Sequence, residues 1–193
     1  VAGWTSWYAY FDKATQDDIH RTADVLSEVL LPFGYRYLQI DDGYQQLPIG
    51  LPDHWLTPNA KFPGGLTELS RYISAHGLEP GIWTNASFHD RPAAEEHPAW
   101  FVRTADGRPA WGNWVGYVMD ASASGAMDSL VTPVYRTLRE TGWSYFKLDA
   151  LRHLRYEGYN SHAEYFTRKG LARQVVYRDF VRQVRSVIGP DAY

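Results

Sequence analysis

The clearest structural signal in the chain is the segment Tyr35-Arg36-Tyr37-Leu38-Gln39-Ile40-Asp41-Asp42-Gly43. Residues 35–40 predict a short strand, which runs directly into two carboxylates. The same order returns in Trp143-Ser144-Tyr145-Phe146-Lys147-Leu148-Asp149, where an apolar run again ends on an acid. Burying a carboxylate without a partner is costly. Acids placed directly after strands therefore indicate a functional edge at the strands' carboxyl ends.

Helical patterns alternate with strands along the rest of the chain. Further strands are predicted at 4–10 and 78–83, and Asp191-Ala192-Tyr193 resembles the start of another. The predicted helices are one that begins at a Thr15 cap and stops before Pro32, one at 66–76, one at about 127–138 and one at 171–188. Pro133 predicts a kink or a later start in the third helix. This alternation is typical of a parallel α/β sheet or barrel.

The connections between these elements are asymmetric. Helix-to-strand turns are short, whereas the strand-to-helix loops, at about 41–65, 84–125 and 149–170, are long. Long loops at the carboxyl ends of strands are how a (β/α)8 TIM barrel builds its active site. The chain has about four strand-helix units where a barrel has eight. We therefore expect one domain, residues 1–193, that forms the N-terminal half of a barrel.

Composition excludes several classes of function. Nineteen Lys and Arg against 22 Asp and Glu give a net charge of -3, which argues against nucleic acid as a partner. The absence of cysteine excludes disulfides and thiolate metal sites. No run of about 18 apolar residues predicts a membrane span, so we expect a soluble domain. The eight Trp and fourteen Tyr favour, without proving, contact with sugar faces.

Asp149 is the leading candidate for a catalytic nucleophile. Side chains alternate along a strand, so Lys147 lies on the same face as Asp149 and would favour its charged form; a purely structural ion pair is the alternative. Asp41 and Asp42 can accept hydrogen bonds from sugar hydroxyls, and Gly43 permits the irregular strand end that would turn both toward a pocket. A hard-metal site is the competing interpretation of this pair.

Aromatic and polar residues near the strand ends give weaker indications. Trp4 and Trp83 are predicted to wall a sugar pocket, whereas core packing is an equal alternative for Trp7. Asp120 is predicted to cap or brace a loop. The seven His residues show no triad or zinc motif and are interpreted as surface or loop residues.

Five spaced motifs resemble the catalytic barrel of melibiase-type α-galactosidases, glycoside hydrolase family 36 and its relative family 27, with the bacterial family 36 branch the nearer. These motifs are Gly3-Trp4-Thr5-Ser6-Trp7, Tyr37-Leu38-Gln39-Ile40-Asp41-Asp42-Gly43-Tyr44-Gln45, Phe62-Pro63-Gly64-Gly65-Leu66, Gly81-Ile82-Trp83 and Tyr145-Phe146-Lys147-Leu148-Asp149. They occur in the family's order over nearly the whole chain. Thr5 and Tyr44 stand where the family commonly has Asn and Trp.

The resemblance implies a retaining hydrolase of terminal α-galactosides that needs no cofactor. Asp149 would attack the anomeric carbon and form a covalent galactosyl-enzyme. Asp41 and Asp42 would hold the 4- and 6-hydroxyls of galactose, and Lys147 another hydroxyl, with Trp4 and Trp83 lining the subsite. The family's acid/base aspartate follows the sixth barrel strand, so this chain alone is expected to be nearly inactive.

Other functions stay open from the sequence. They are an α-N-acetylgalactosaminidase or galactosyl transferase of the same family, a non-catalytic galactoside-binding module, and a metal-dependent barrel hydrolase. The expected ligand is a small or oligomeric α-galactoside, with no membrane partner. The open edges of a half-barrel favour aggregation or a homo-oligomer. Cytoplasmic and secreted or periplasmic locations are both compatible with the sequence, and the resemblance points to a bacterial source.

Overall fold

A computed structural model describes residues 1–47, 55–112, 116–149, 151 and 162–193 of the chain. A parallel sheet of four strands lies at its centre: β1 (Gly3–Thr5), β2 (Tyr37–Ile40), β3 (Glu79–Thr84) and β6 (Tyr145–Leu148). The strands are hydrogen-bonded in that order. Tyr193 makes the two backbone bonds of a further parallel pairing, donating to Ser144 at 2.7 Å and accepting from Phe146 at 2.8 Å. This pairing confirms that the strand order continues beside β6, as predicted for 191–193.

The helices follow the strands. They are α1 (Trp7–Tyr10), α2 (Gln16–Val29), α3 (Gly65–Ala75), α4 (Arg91–Glu96), α5 (Thr132–Glu140), α6 (Ala163–Arg168) and α7 (Arg173–Ile188). Two further short strands, β4 (Phe88–His89) and β5 (Tyr117–Val118), pair antiparallel. Parts of all three long loops predicted from the sequence lie outside the described residues. No helix of the described chain combines the length and the apolar character that crossing a bilayer requires.

Helix α2 begins where the sequence predicts it to begin. The Thr15 hydroxyl accepts from the Asp18 backbone N–H at 3.2 Å, and the Asp18 carboxylate accepts from the Thr15 N–H at 3.0 Å. This capping box satisfies two backbone donors that the first turn leaves unpaired. The helix then buries Ile19, Ala23 and Leu26 against the sheet.

The first strand is shorter than the prediction of 4–10. It ends at Thr5, and the chain turns into α1 at Trp7. Ser6 is the residue that ends it: its N–H donates to the Gln39 carbonyl at 3.1 Å, and its hydroxyl accepts from the Asp41 N–H at 2.8 Å. The backbone of Ser6 is already helical, with φ -68° and ψ -22°, so the ladder stops there and the predicted strand over 6–10 is wrong.

Pro133 shapes the helix before β6 as predicted. Residues Met127–Val131 form a π-helical turn, and the regular helix α5 starts at Thr132 with the proline in its first turn. Proline has no N–H to donate and is tolerated there. Of the two predicted effects of Pro133, the structure thus shows the later start of the regular helix.

A small subdomain fills the long connection after β3, and the sequence did not predict it. Strands β4 and β5 and helix α4 build it, and a second apolar cluster forms its core: Phe88, Val102, Ala110, Val118, Phe166 and Val176. Two of these residues come from α6 and α7, so the subdomain packs on the helices that follow β6. His89 lies in β4, is buried and packs edge-to-face on Phe101, which corrects its interpretation as a surface or loop residue.

The two faces of the parallel sheet differ in character. Leu38, Ile40, Ile82 and Phe146 belong to the main apolar core, which they share with the surrounding helices. The residues that alternate with them along the strands form the opposite, inner face, among them Gln39, Trp83 and Lys147. The candidate site is built on this inner face at the carboxyl ends of the strands.

Candidate active site

The strand register places the predicted polar residues in neighbouring positions. Trp83 on β3 pairs with Lys147 on β6, and Asp41 lies one residue beyond the pairing of Ile40 with Ile82. Asp41, Trp83 and Lys147 therefore occupy one level of the inner face, and Asp149 lies one level nearer the carboxyl rim. The ladder continues to that rim, since the Asp149 N–H donates to the Thr84 carbonyl at 2.9 Å.

Asp41 is the buried centre of a hydrogen-bond network. Its Oδ2 accepts from Lys147 Nζ at 2.8 Å, from Gln39 Nε2 at 2.6 Å and from the Thr5 hydroxyl at 3.3 Å. Its Oδ1 accepts from the Asp42 N–H at 3.0 Å. The carboxylate is 4% exposed, so these donors replace water as its partners. The ion pair of Lys147 is thus with Asp41, whereas the sequence pointed to Asp149.

Asp149 lies exposed at the rim and is held from one side by an indole. Trp83 Nε1 donates to Asp149 Oδ2 at 3.0 Å, and the Trp83 ring is almost fully buried behind it. A hydrogen bond to a carboxylate from a fixed aromatic ring orients that carboxylate. Trp83 therefore orients the exposed carboxylate of Asp149 at the carboxyl rim of the sheet.

Asp42 is turned inward by the backbone that follows it. Gly43 has φ 103°, and a Cβ at this position would lie 2.7 Å from the Asp12 backbone. Only glycine adopts this conformation without strain. The irregular strand end predicted at Gly43 is therefore present, and both Asp41 and Asp42 are buried there.

Tyr44 and Lys61 complete the surroundings of the Asp pair. The Tyr44 hydroxyl donates to the Trp83 carbonyl at 3.1 Å, and burial together with the negative charge of Asp42 raises the pKa of Tyr44 well above its usual range. Lys61 donates to the Asp12 carbonyl. Burial lowers the pKa of Lys61, and the negative charges of Asp12 and Asp42 offset only part of that decrease. Tyr44 thus stays a neutral donor that fixes β3.

Trp4 does not join these residues. It shares its register position with Leu38, its ring packs against Tyr10, and it borders a groove with Val25 and Leu26 of α2. It therefore lies on the helix-facing side of β1, opposite to the inner face, because side chains alternate along a strand. Trp4 also borders a second groove together with Thr5 and Gln39, and its role as a pocket wall stays a prediction. Trp7, half-buried at the start of α1, stands beyond the carboxyl end of β1 and packs against Phe11.

Asp120 is a brace, as the sequence predicted. Its Oδ1 accepts from the N–H and hydroxyl of Ser122 at 2.9 and 2.6 Å, and its Oδ2 accepts from Tyr165 at 2.7 Å and from Lys169 at 2.6 Å. Burial alone would raise the pKa of Asp120, but the bonds from Lys169, Ser122 and Tyr165 outweigh it and hold that pKa below its usual range. The brace ties the subdomain to the end of α6.

Among the described residues, no group of three or more His, Asp and Glu side chains is arranged to hold a metal ion. That part of the chain therefore offers no support for the hard-metal interpretation of Asp41 and Asp42. The donors that surround Asp41 are Lys, Gln and Thr side chains, which compensate its carboxylate charge without a metal ion.

Comparison with known families now assigns the chain. The model of the Melibiase family matches residues 4–183. The chain belongs to the Melibiase family. The predicted resemblance is thereby confirmed, as is the TIM-barrel fold, whose N-terminal part corresponds to the four parallel strands.

Several characterised proteins resemble this Melibiase chain over part of their length. An α-galactosidase of Oryza sativa is 29% identical over 107 residues, which are 53% of this chain and 26% of that protein. An A type blood α-D-galactosamine galactosaminidase of Flavonifractor plautii is 31% identical over 159 residues, 76% of this chain and 14% of that protein. TtGalA, an α-galactosidase from Thermus thermophilus solved with p-nitrophenyl α-D-galactopyranoside, superposes with a TM-score of 0.74 at 26% identity and covers 98% of this chain and 36% of its own. The Melibiase chain thus spans well under half of each relative's length.

Two residues at the site escaped sequence reasoning. The Ser6 hydroxyl accepts a hydrogen bond from the Asp41 N–H, and the Gln45 side-chain amide donates one to the Asp42 carboxylate at 2.5 Å. Both lie within the motifs that carry the resemblance, which was the available signal. Their roles depend on contacts that cross strands or close a turn, and residue spacing alone does not show such contacts.

Proposed function

We propose that this chain carries the nucleophile side of the active site of a retaining glycoside hydrolase that acts on terminal α-galactosides. The observation that carries the proposal is the oriented carboxylate of Asp149. It stands at the carboxyl rim of a Melibiase-family barrel sheet and accepts the Trp83 indole N–H at 3.0 Å. Catalytic side chains of TIM-barrel enzymes occupy this edge of the sheet.

In the proposed reaction the Asp149 carboxylate attacks the anomeric carbon while the bond to the leaving-group oxygen breaks. A second carboxyl group protonates that oxygen, then takes a proton from the water that hydrolyses the galactosyl ester. The first step forms one carbon–oxygen bond and breaks another, and the second restores the free carboxylate. The two carboxyl groups of a retaining enzyme stand about 5 Å apart. We assign no described residue to the second role.

The buried polar cluster beside Asp149 is proposed to select the sugar. Asp42, Asp41 and Lys147 would hold hydroxyls of galactose, and Trp83 would form the wall beneath them. A site built to bond an axial hydroxyl rejects the epimer that lacks it, because its buried polar groups are then left unpaired. Since Asp41 already accepts four hydrogen bonds, we place its contribution mainly in holding Lys147.

Residues 1–193 are proposed to form one unit, the N-terminal half of the barrel. The main apolar core runs through all four parallel strands and the helices α2, α3, α5 and α7, which supports a single unit. Rice and Thermus α-galactosidases extend well beyond the region that this chain matches. Activity is therefore to be tested on the natural full-length form of the chain.

The test is hydrolysis of an aryl α-galactoside by the full-length form, as wild type and as Asp149→Ala, with the 193-residue chain alone as a third sample. Asp179→Ala, a change of an exposed carboxylate on α7, is the matched control. We expect Asp149→Ala to lose at least about a thousandfold in kcat/KM and Asp179→Ala to keep wild-type activity. The 193-residue chain alone is expected to show little or no turnover.

Chemical rescue separates a nucleophile from a residue that only supports the fold. With Asp149→Ala and a substrate carrying a good leaving group, azide is expected to attack the vacated face and release the β-galactosyl azide. Full activity of Asp149→Ala would refute the assignment. Sugar binding without hydrolysis by the wild type would instead favour a binding module, and loss of activity with a chelator would favour a metal hydrolase.

An α-galactosaminidase is the second candidate, because the Flavonifractor plautii relative that aligns with 76% of this chain carries the name of an α-D-galactosamine galactosaminidase. The two activities differ in how the pocket accepts the substituent at carbon 2. An aryl α-galactosaminide and its N-acetyl form, assayed beside the galactoside, decide between the activities by the ratios of their kcat/KM values.

A further inference from the structure

The loop after β2 contains a buried side-chain amide, that of Gln45, which binds Asp42. Gln45 is 1% exposed, and its Oε1 accepts from the Gly43 N–H at 3.0 Å. Its Nε2 donates to Asp42 Oδ1 at 2.5 Å. The loop therefore closes on itself, from Asp42 through Gly43 to Gln45.

The orientation of this amide follows from its partners. A backbone N–H can only donate, so the amide atom that faces Gly43 must be the oxygen. The other amide atom is then the NH2 group, and it faces a carboxylate, which accepts. Both ends of the Gln45 amide are satisfied in this orientation. In the reversed amide, the NH2 group would face the Gly43 N–H and the carbonyl oxygen would face the Asp42 carboxylate, so neither hydrogen bond could form. The loop thus holds a fixed donor against Asp42.

The backbone that carries Gln45 is itself fixed. Asn59 donates its side-chain amide to the carbonyls of Gly43 and Gln45, at 2.8 and 3.1 Å, and its N–H donates to the Tyr44 carbonyl at 2.8 Å. The Gln46 N–H donates to the Thr57 carbonyl at 2.9 Å. Residues 43–46 therefore cannot move without breaking several bonds at once. A donor on such a support keeps a precise position relative to Asp42.

We propose that Gln45 is a positioning residue that fixes the Asp42 carboxylate for a substrate hydroxyl, with Asn59 holding the loop that carries it. The inference rests on the proposed function, because it assigns Asp42 to the sugar. Gln45 itself touches no substrate. It acts by occupying one oxygen of Asp42 and setting the plane of the carboxylate.

The predicted signature is a loss of binding that depends on Asp42. Gln45→Met keeps the length of the side chain and removes both hydrogen-bonding atoms. A hydrogen bond to a charged partner contributes about tenfold or more to an equilibrium. We expect a rise in KM of about tenfold with kcat changed by less than about threefold. Gln45→Glu, which sets a carboxylate against Asp42, is expected to raise KM further.

A double-mutant cycle in the full-length form tests the proposal. The variants are Gln45→Met, Asp42→Ala and the two combined, with Gln46→Met, a change of the exposed neighbouring residue, as the matched control. If Gln45 acts through Asp42, Gln45→Met changes KM by less than about twofold once Asp42 is already Ala. The proposal is overturned if Gln45→Met raises KM by the same factor whether residue 42 is Asp or Ala. It is also overturned if Gln46→Met raises KM as much as Gln45→Met does.

Binding of free galactose, measured by calorimetry on the same variants, keeps this test separate from the proposed function. If the wild type binds galactose and does not hydrolyse the galactoside, the proposed hydrolysis is refuted. The double-mutant cycle then compares the Kd values of the variants for galactose in place of their KM values. If the wild type neither binds nor hydrolyses, both proposals fail. Thermal unfolding of each variant shows whether Gln45→Met acts by unfolding the loop, which would also count against positioning.

Discussion

Replacing Asp120 by Asn should destabilise the folded protein. The carboxylate is fully buried and accepts four hydrogen bonds, two from Ser122, one from Tyr165 and one from Lys169. An amide keeps the shape but turns an NH2 group toward one of these donor pairs. The Tyr165 hydroxyl can rotate to accept, whereas the Lys169 ammonium cannot.

The magnitude follows from the burial of the two partners. Breaking a buried ion pair costs about 3–5 kcal/mol, and an unsatisfied buried polar group about 1–3 kcal/mol. The Lys169 side chain is 32% exposed, so water recovers part of the lost interaction. We expect Asp120→Asn to lower the free energy of unfolding by about 2–3 kcal/mol at neutral pH, with α6 opening first.

The pH dependence of this loss has a definite sign. The pKa of Asp120 is lowered in the fold, so its charge stabilises the folded state above the unfolded-state value of about 3.9. That contribution is lost as pH falls below 3.9 and through the folded pKa. The difference between wild type and Asp120→Asn should therefore be constant from about pH 5 to 7 and shrink at lower pH.

Urea unfolding of the full-length form measures the loss, and amide hydrogen exchange in α6 localises it. The matched control is Asp128→Asn, an exposed carboxylate that accepts from Gln183 at 2.8 Å, for which we expect less than about 0.5 kcal/mol. A loss at Asp120 no larger than at Asp128 would refute the reasoning. So would a loss that stays the same below pH 4, because packing and not charge would then be its cause.

Three further substitutions test the site. Gly43→Ala is expected to lower the free energy of unfolding, measured in urea, by about 2 kcal/mol or more, because φ is 103° and the new Cβ would lie 2.7 Å from the Asp12 backbone. The control Gly107→Ala, at φ 82° with nothing within 4 Å of the new Cβ, should lower it by about 1 kcal/mol. Equal losses would contradict the role of the close contact. Trp83→Phe removes the donor at 3.0 Å from Asp149 and should lower kcat/KM for the aryl α-galactoside about 10- to 100-fold; a change under twofold would separate the indole from catalysis. Lys147→Met leaves the buried carboxylate of Asp41 without its cationic partner, so KM for the aryl α-galactoside should rise about tenfold. An unchanged KM would show that the Lys147–Asp41 ion pair does not shape the pocket.

The sequence predicts the ends of three parallel strands within one or two residues, because an apolar run that stops at a charge or a turn is a local signal. It fails on the first strand, where Trp7 and Tyr10 extend the aromatic run past Thr5. The bend there comes from Ser6, whose hydroxyl binds the Asp41 N–H across the sheet. No window of sequence around Ser6 contains that partner.

The subdomain between β3 and α5 was beyond prediction for a related reason. Its strands Phe88–His89 and Tyr117–Val118 are two residues long and lie far apart in the chain. Alternation needs a longer run to be visible. Their pairing gains its stability from a shared apolar core with Phe166 and Val176, which is tertiary and not local.

The placement of Lys147 shows where sequence reasoning about the site reaches its limit. A period of two residues puts Lys147 and Asp149 on one face, and the structure agrees with that face. Which carboxylate the lysine meets depends instead on the register between strands. Register aligns Lys147 with Trp83, and through it with the level of Asp41, whereas Asp149 stands one level higher. The lysine therefore neutralises the buried acid, and the indole N–H orients the exposed one. Asp149 is thus exposed at the rim, as its proposed role as nucleophile requires, and the buried charge of Asp41 is compensated by Lys147 one level below.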